Sequence, residues 1–555
     1  MKENQSYDVI VIGAGFGGPV AAKLCADAGL KTLLVERAKR PGEKVISGLT
    51  IPFYGFLFGP DFILKGNPPI ERPADGIINY IITDIDKEEI EIDDTLKIPK
   101  PFSPIISFGY NAYCQPFCEW ETNHAIESGV IFKPSTTVVD LIKEDGYITG
   151  ILTDEDQKCY SKIVIDAEGS QGLIAVKAGI REKYPPEAIA LADTYDYEMP
   201  KRLIDEIFGF SVRFCWGFDE QKIAPPLGYG NGLMVWPYRG SLHFIQDQCL
   251  KLNGMKVPDF KKAFKTYHQN ITQKLPWWRE EVTPNSKLRA KVWQCFEIFV
   301  GINKKLRKMP NYGNGILLIG DAAGLESTEL CDGVPSAWFS AEIAAKVAID
   351  AIKRNDVSAD FLRTYNEKIK KHPIIQWSIS GSNRFILRYA QKNHDMKLLK
   401  EIIHDGWGLG QLNNFTAPFL KIFLEYFRRD RKIINEWILM FFRYFQNWLY
   451  NSYGESEERI IKLQKKYKLR TSKMYLLFFN LIFRFIGPLL ETLLSLLKRL
   501  TPLSIDKLNA LIKKILPKIE PTYLFLLKIL EPFGNVLSKK LIEFTLKTNP
   551  SYFKS

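Results

Sequence analysis

The hydrophobic pattern divides the chain into distinct textures. Residues 7–12, Tyr-Asp-Val-Ile-Val-Ile, form an apolar run that reads as a buried parallel strand. It passes directly into a glycine-rich turn, Gly13-Ala14-Gly15-Phe16-Gly17-Gly18. Beyond the turn, Ala21, Ala22, Leu24, Cys25 and Ala28 fall on one helical face, and Gly29 closes that helix. A second strand, Thr32-Leu33-Leu34-Val35, ends on Glu36. The buried-strand texture returns at 162–166 and at 315–319. A further helix opens after Gly333, with Ala337, Ala341, Ala344, Ala345 and Val347 on its packed face. After about residue 375 the pattern changes. Residues 436–445 are strongly aromatic, 455–470 are charged, and 474–486 are apolar again. Pro488, Pro502, Pro517 and Pro532 then recur 14, 15 and 15 residues apart, each before a short apolar stretch with Lys or Arg nearby. Proline suits the first turn of a helix, so this spacing predicts four short amphipathic helices with basic edges.

The first unit carries chemistry. In a G-x-G-x-x-G turn between strand and helix, Gly13 makes the tight turn, Gly15 admits a pyrophosphate, and Gly18 lets helix and strand approach. The helix N-terminus offers N–H groups and partial positive charge to phosphates. Glu36, about twenty residues on, is placed to accept the ribose hydroxyls. Strand, turn, helix, strand and acid in register predict a dinucleotide site. Only one such fingerprint is present, so a second Rossmann domain for a nicotinamide cofactor is not expected.

Composition narrows the class. Hydrophobic residues are 46% and charged residues 25%, as in a packed globular chain. Eight scattered cysteines without a C-x-x-C pair argue against a disulfide scaffold or zinc ribbon. The six histidines form no H-x-x-H cluster, so no metal site is expected. The polar N-terminus lacks the charged-then-apolar pattern of a signal peptide, and a reducing, cytosol-facing location follows as the expectation. The net charge of +12 is unevenly spread. Residues 421–555 hold 25 Lys and Arg against 11 Asp and Glu, which leaves the rest of the chain slightly acidic. Because those basic residues are interleaved with Leu, Ile and Phe, an anionic membrane surface fits better than nucleic acid.

Three motifs in order carry a resemblance. They are the glycine fingerprint, Ala167-Glu168-Gly169-Ser170 after the 162–166 strand, and Gly320-Asp321-Ala322-Ala323-Gly324 followed by Asp332-Gly333-Val334-Pro335. Together with Gly42-Glu43-Lys44-Val45-Ile46-Ser47-Gly48 and Lys177-Ala178-Gly179-Ile180-Arg181, they resemble the geranylgeranyl reductase group of FAD enzymes. The nearest branch is the FixC-type dehydrogenases, within the p-hydroxybenzoate hydroxylase-like superfamily. The resemblance covers roughly residues 5 to 370. It implies an α/β fold in which a Rossmann-type FAD domain is interrupted by an antiparallel-sheet substrate domain, with a C-terminal helical extension. The expected ranges are 1–185 and 300–370 for the FAD domain, 186–299 for the substrate domain, and 371–555 for a helical, membrane-associating region.

The resemblance further implies that Asp321 binds a ribityl hydroxyl and that the helix after Gly333 points its N-terminus at the flavin pyrimidine edge. Its FAD contacts map onto Gly13, Gly15, Gly18, Glu36, Arg37, Lys44, Ser47, Gly48, Gly320, Asp321, Gly333 and Val334. Departures are visible. The family's Asp in A-D-G is Glu168, and its Arg and Asp near the second FAD contact are Cys114 and Cys118. The substrate-sheet motif survives as Pro226-Leu227-Gly228-Tyr229 and, after an insertion, Met234-Val235-Trp236-Pro237. Tyr229, Trp236 and Cys331 are the candidates for lining the reacting centre. The expected activity is reduction of double bonds in an isoprenoid lipid at the membrane, with electrons from a protein donor such as an electron-transfer flavoprotein or a ferredoxin. An electron-transfer-flavoprotein:quinone oxidoreductase is the alternative enzyme. Lacking any cysteine beyond Cys331, the chain has no set of four to hold that relative's iron–sulfur cluster. A membrane scaffold with a vestigial flavin fold is the non-enzyme alternative. For the tail, interfacial helices are the expected arrangement, with a span at 474–497 or a packed helical cap as rivals.

Overall fold

A computed structural model describes residues 5–43, 48–97 (except 53–54 and 57–58), 109–185, 188–217, 232–249, 257–298, 308–326 and 333–372, with isolated positions up to 399. The chain forms two compact units, Met1–Lys97 with Ser107–Ile433, and Ile98–Ile106 with Ile434–Ser555. The second unit lies outside the described residues, and with it the 474–497 segment and the four proline-led helices. Lys44, Ser47, Tyr229 and Cys331 also fall outside them. Among the described residues, no helix is long and apolar enough to cross a membrane.

The apolar runs become the strands of a parallel sheet. In it β18 (Ile316–Leu318), β11 (Lys158–Asp166), β1 (Gln5–Ile12), β2 (Thr32–Val35) and β8 (Ile131–Lys133) lie side by side in that order. The hairpin of β9 (Val138–Glu144) and β10 (Tyr147–Thr153) extends β11, and β17 (Tyr312–Gly313) edges β18. Helix α1 (Gly18–Asp27) buries Val20, Ala21, Ala22 and Cys25, while Pro19 occupies its first turn. The carboxyl ends of the strands are joined into one rim. Gly13 N–H donates to the Val35 carbonyl, Ala167 N–H to Ile12, and Ile319 N–H to Asp166, at 2.8–2.9 Å. The three motifs are therefore neighbours at the end of the sheet where open α/β folds place their ligands.

A second sheet has seven strands. They are β5 (Gly76–Asp84), β6 (Glu89–Lys97), β12 (Ile189–Glu198), β13 (Ser211–Gly217), β14 (Gly232–Pro237), β15 (Ser241–Cys249) and β16 (Lys287–Ile298), in the order β16-β12-β15-β14-β13-β5-β6. All pairs are antiparallel except β13 with β5. Alternation along each strand gives two faces. On one face Tyr195, Leu233, Val235 and Phe244 pack with Phe264, Ile271 and Trp278 from the region of helix Val257–Lys274. On the other, Ile77, Ile81, Val212, Phe214, Trp216, Met234 and Ile245 form a separate apolar cluster, on which Met396 and Leu399 also pack. A small third sheet of β3 (Gly48–Pro52), β7 (Gly109–Tyr113) and β4 (Arg72–Ala74) connects to both larger ones.

Candidate active site

Each fingerprint glycine has a separate steric reason. Gly13 holds a left-handed φ of 98°, and a Cβ there would lie 2.5 Å from the Ala167 carbonyl oxygen. At Gly18 a Cβ would lie 1.8 Å from the Gly13 carbonyl oxygen. Gly15, by contrast, has no protein atom within 4 Å of its would-be Cβ. Helix α1 has no side-chain cap at Gly17, so its first N–H groups are left for a ligand. Glu36, almost fully buried, is fixed by two backbone donors. Ala14 N–H reaches one carboxylate oxygen and Ala38 N–H the other, both at 2.8 Å. Arg37 stands exposed beside it and donates to Gln171.

The second half of the site meets the first through helix α2 (Val334–Arg354). A Cβ on Gly17 would lie 3.4 Å from the Ala337 carbonyl, and one on Gly320 3.3 Å from the Ala337 Cβ. The start of this helix is capped by Gly333 without a side-chain bond. A Cβ on Gly333 would sit 2.8 Å from Asp321 Oδ1, so the carboxylate lies against the helix opening, beside buried Val334. No hydrogen bond fills the Asp321 carboxylate, and burial pushes its carboxyl up to about 6. An open glycine cradle, an uncapped helix end and an unsatisfied carboxylate on one rim fit a dinucleotide whose sugar hydroxyls donate. Gly13, Gly15, Gly18, Glu36, Gly320, Asp321, Gly333 and Val334 are thus brought together.

The departures also find places. Glu168 reaches the helix at Leu173–Lys177 and accepts the Ile174 N–H. Burial raises its carboxyl to about 7. Cys114 and Cys118 open the helix Cys114–Glu127, with Pro116 in its first turn, and both are buried free thiols. Burial holds Cys118 well above the ordinary thiol value, so it is a packing residue against Gly42. The cation near this helix is Arg40, paired with Glu119 at 2.5 Å. Beneath, Trp338 Nε1 donates to the fully buried Glu121 at 2.6 Å. Among the described residues, no three His, Cys, Asp and Glu side chains are grouped to hold a metal.

Gly48 ties the small sheet to the seven-stranded one. Its N–H donates to His243 Nδ1 at 3.1 Å, across 195 residues of sequence. Burial lowers the His243 pKa to about 4, so the ring is neutral and its Nε2 hydrogen faces Asp196 Oδ1 at 3.5 Å. Asp196 in turn accepts from Arg289. A Cβ on Gly48 would lie 1.9 Å from the Tyr238 hydroxyl, and Tyr238 stacks on Tyr113 at 4.4 Å. Trp236 is the β14 partner of His243, so this predicted residue sits beside the junction. Sequence reading missed His243, Tyr238 and Tyr113. The available signal was Tyr238 directly following the Trp236-Pro237 remnant. A cavity of about 460 Å³, bordered by Lys31, Ser161 and Lys162, opens at the opposite end of β1 and is separate from this rim.

Comparison with known proteins places these elements. The family model "FAD dependent oxidoreductase" matches residues 8–311. The FixC protein of Bradyrhizobium diazoefficiens is 26% identical over 67% of this chain and 82% of its own length. The digeranylgeranylglycerophospholipid reductase of Methanocaldococcus jannaschii is 28% identical over 67% of this chain and 84% of its own. Among solved structures, a geranylgeranyl bacteriochlorophyll reductase-like protein from Thermoplasma acidophilum aligns with a TM-score of 0.55 at 20% identity, covering 73% of this chain and 97% of that one. The halogenase PltM, solved in complex with FAD, aligns at 0.54 with 13% identity, covering 78% and 85%. The two structural likenesses concern the fold.

Proposed function

Since the chain belongs to the FAD dependent oxidoreductases, with FAD as cofactor and with FixC and archaeal geranylgeranyl reductases as relatives, we propose that it reduces double bonds of an isoprenoid lipid at a membrane surface. The observation that carries this reading is the apolar face beginning at Trp236, one residue pair from the Gly48 junction. Phe214, Trp216, Met234, Ile77 and Ile81 continue it across the sheet. Such a wall binds a hydrocarbon chain by area, excludes water and lacks charged side chains that would demand a polar substrate. Bound FAD supplies the two-electron reduction. The chain's own residues do the holding. Asp321, Glu36 and the two uncapped helix ends fix the cofactor, and His243 fixes Gly48, so that cofactor loop and substrate wall keep one geometry. Tyr229 and Cys331 remain candidates for lining the reacting centre. With a single dinucleotide fingerprint, the electrons come from a protein donor, and the basic, apolar tail seats the enzyme on anionic lipid.

The test is a lipid profile of cells that make the protein and cells that lack it. The expected result is isoprenoid chains that are more saturated, by about two mass units per double bond, where the protein is present. Unchanged chains together with a shifted redox state of the quinone pool would assign the quinone-reducing activity instead.

A further inference from the structure

Strand register orders the apolar face into rows. Through the pairs Asp196–His243, His243–Trp236 and Val212–Ile77, the first row lies at the Gly48 junction. Two residues along each strand, the next row runs Thr194, Ile245, Met234, Phe214 and Asn79. Four of these five are buried without a side-chain amide or charge, and Asn79 is the exception. Its side chain is 0% exposed and lies on the face of Ile77 and Ile81. Its orientation is set, because Oδ1 accepts from Trp216 Nε1 at 2.9 Å. That leaves the Nδ2 hydrogens pointing elsewhere, and Nδ2 has no hydrogen-bond partner.

A buried donor without an acceptor is costly, and native proteins rarely keep one without a use. Leu or Met at this position would complete the apolar wall. We infer that Asn79 is a substrate-binding residue, whose Nδ2 donates to an acceptor oxygen carried by the otherwise apolar substrate. This rests on the lipid reading of the site and deepens it. The substrate is not a bare hydrocarbon; it bears an ether, ester or carbonyl oxygen that reaches the second row of the sheet. A prenylated quinone and a prenyl ether lipid share that chemistry. The rival assignment is structural, with Asn79 present only to receive the Trp216 indole or to hold a buried water.

The experiment uses full-length protein loaded with FAD, in micelles, and compares W216F with W216F/N79L. The first keeps Asn79. The second removes it without stranding the indole. Three probes share one geranylgeranyl chain: a glycerol ether, a quinone and the oxygen-free hydrocarbon. Affinities are read from quenching of the remaining tryptophan fluorescence. In W216F at least one oxygen-bearing probe should bind about 10- to 100-fold tighter than the hydrocarbon. Whichever probe shows the preference identifies the class. In W216F/N79L the preference should vanish while hydrocarbon affinity holds, and the thermal midpoint of the double variant should be equal or higher. An equal preference in both variants, or none in W216F, overturns the assignment and leaves the lipid reading standing. Failure of W216F to bind all three probes overturns the lipid reading, and the Asn79 assignment with it.

Discussion

Two glycines of one motif should respond oppositely to substitution. Gly15 has open space where a side chain would go, whereas Gly18 has the Gly13 carbonyl. Gly15→Val should therefore purify with a melting temperature near that of the parent but without flavin absorbance. Gly18→Ala should lose stability first. A Gly15→Val protein that retains full flavin absorbance would refute the cradle. Asp321 makes the second residue-scale prediction. Its carboxyl sits at about 6 without cofactor, and a ribityl donor favours the ionised form. Binding FAD then lowers that pKa, so affinity is full above pH 6 and weakens as pH falls through 6. Titration of apoprotein with FAD across this range checks it, and Asp321→Asn should bind more weakly at high pH and lose the slope.

At the scale of elements, the junction of β3 with β15 deserves its own measurement. His243→Ala leaves the buried Gly48 N–H without an acceptor, which costs about 1–3 kcal/mol. The same buried ring gives an acid dependence. Its pKa is lowered from 6.5 to about 4, so the unfolded chain takes up the proton first. The stability it contributes is present above pH 6.5 and is lost as pH falls toward 4. Denaturant midpoints at pH 7.5 and pH 5 should therefore differ less in His243→Gln than in the parent. His268 and His372 are lowered by burial in the same sense, so the difference shrinks without disappearing. Tyr238→Phe should leave the midpoint unchanged, because that hydroxyl has no partner to lose.

The whole molecule is electrostatically divided, with its excess positive charge in residues 421–555. Each Lys or Arg near an anionic surface contributes about 1 kcal/mol, and apolar insertion adds a part that salt does not screen. Deleting 421–555 should release the protein from anionic vesicles and leave FAD bound. For the full chain, high salt should weaken co-sedimentation without abolishing it. A full-length protein that stays in solution beside anionic vesicles at low salt would sink the membrane proposal.

By itself the sequence determined the cofactor half of this protein. A strand, a turn and a helix that follow one another within thirty residues leave a local period, and Gly13, Gly15, Gly18 and Glu36 are read from it directly. The Gly320-Asp321 turn was legible for the same reason, since it ends its own strand. What only the tertiary structure decided is how distant strands pair. Residues 76–97 join the seven-stranded sheet through a parallel contact of β5 with β13. His243 reaches Gly48 across 195 positions, and Asn79 stands beside Phe214. Nothing in a strand's own alternation names its neighbour, because the period of two states which face is buried and not what lies across it. A lone histidine or asparagine in such a strand has no sequence signature, and its role appears only when register sets its partner.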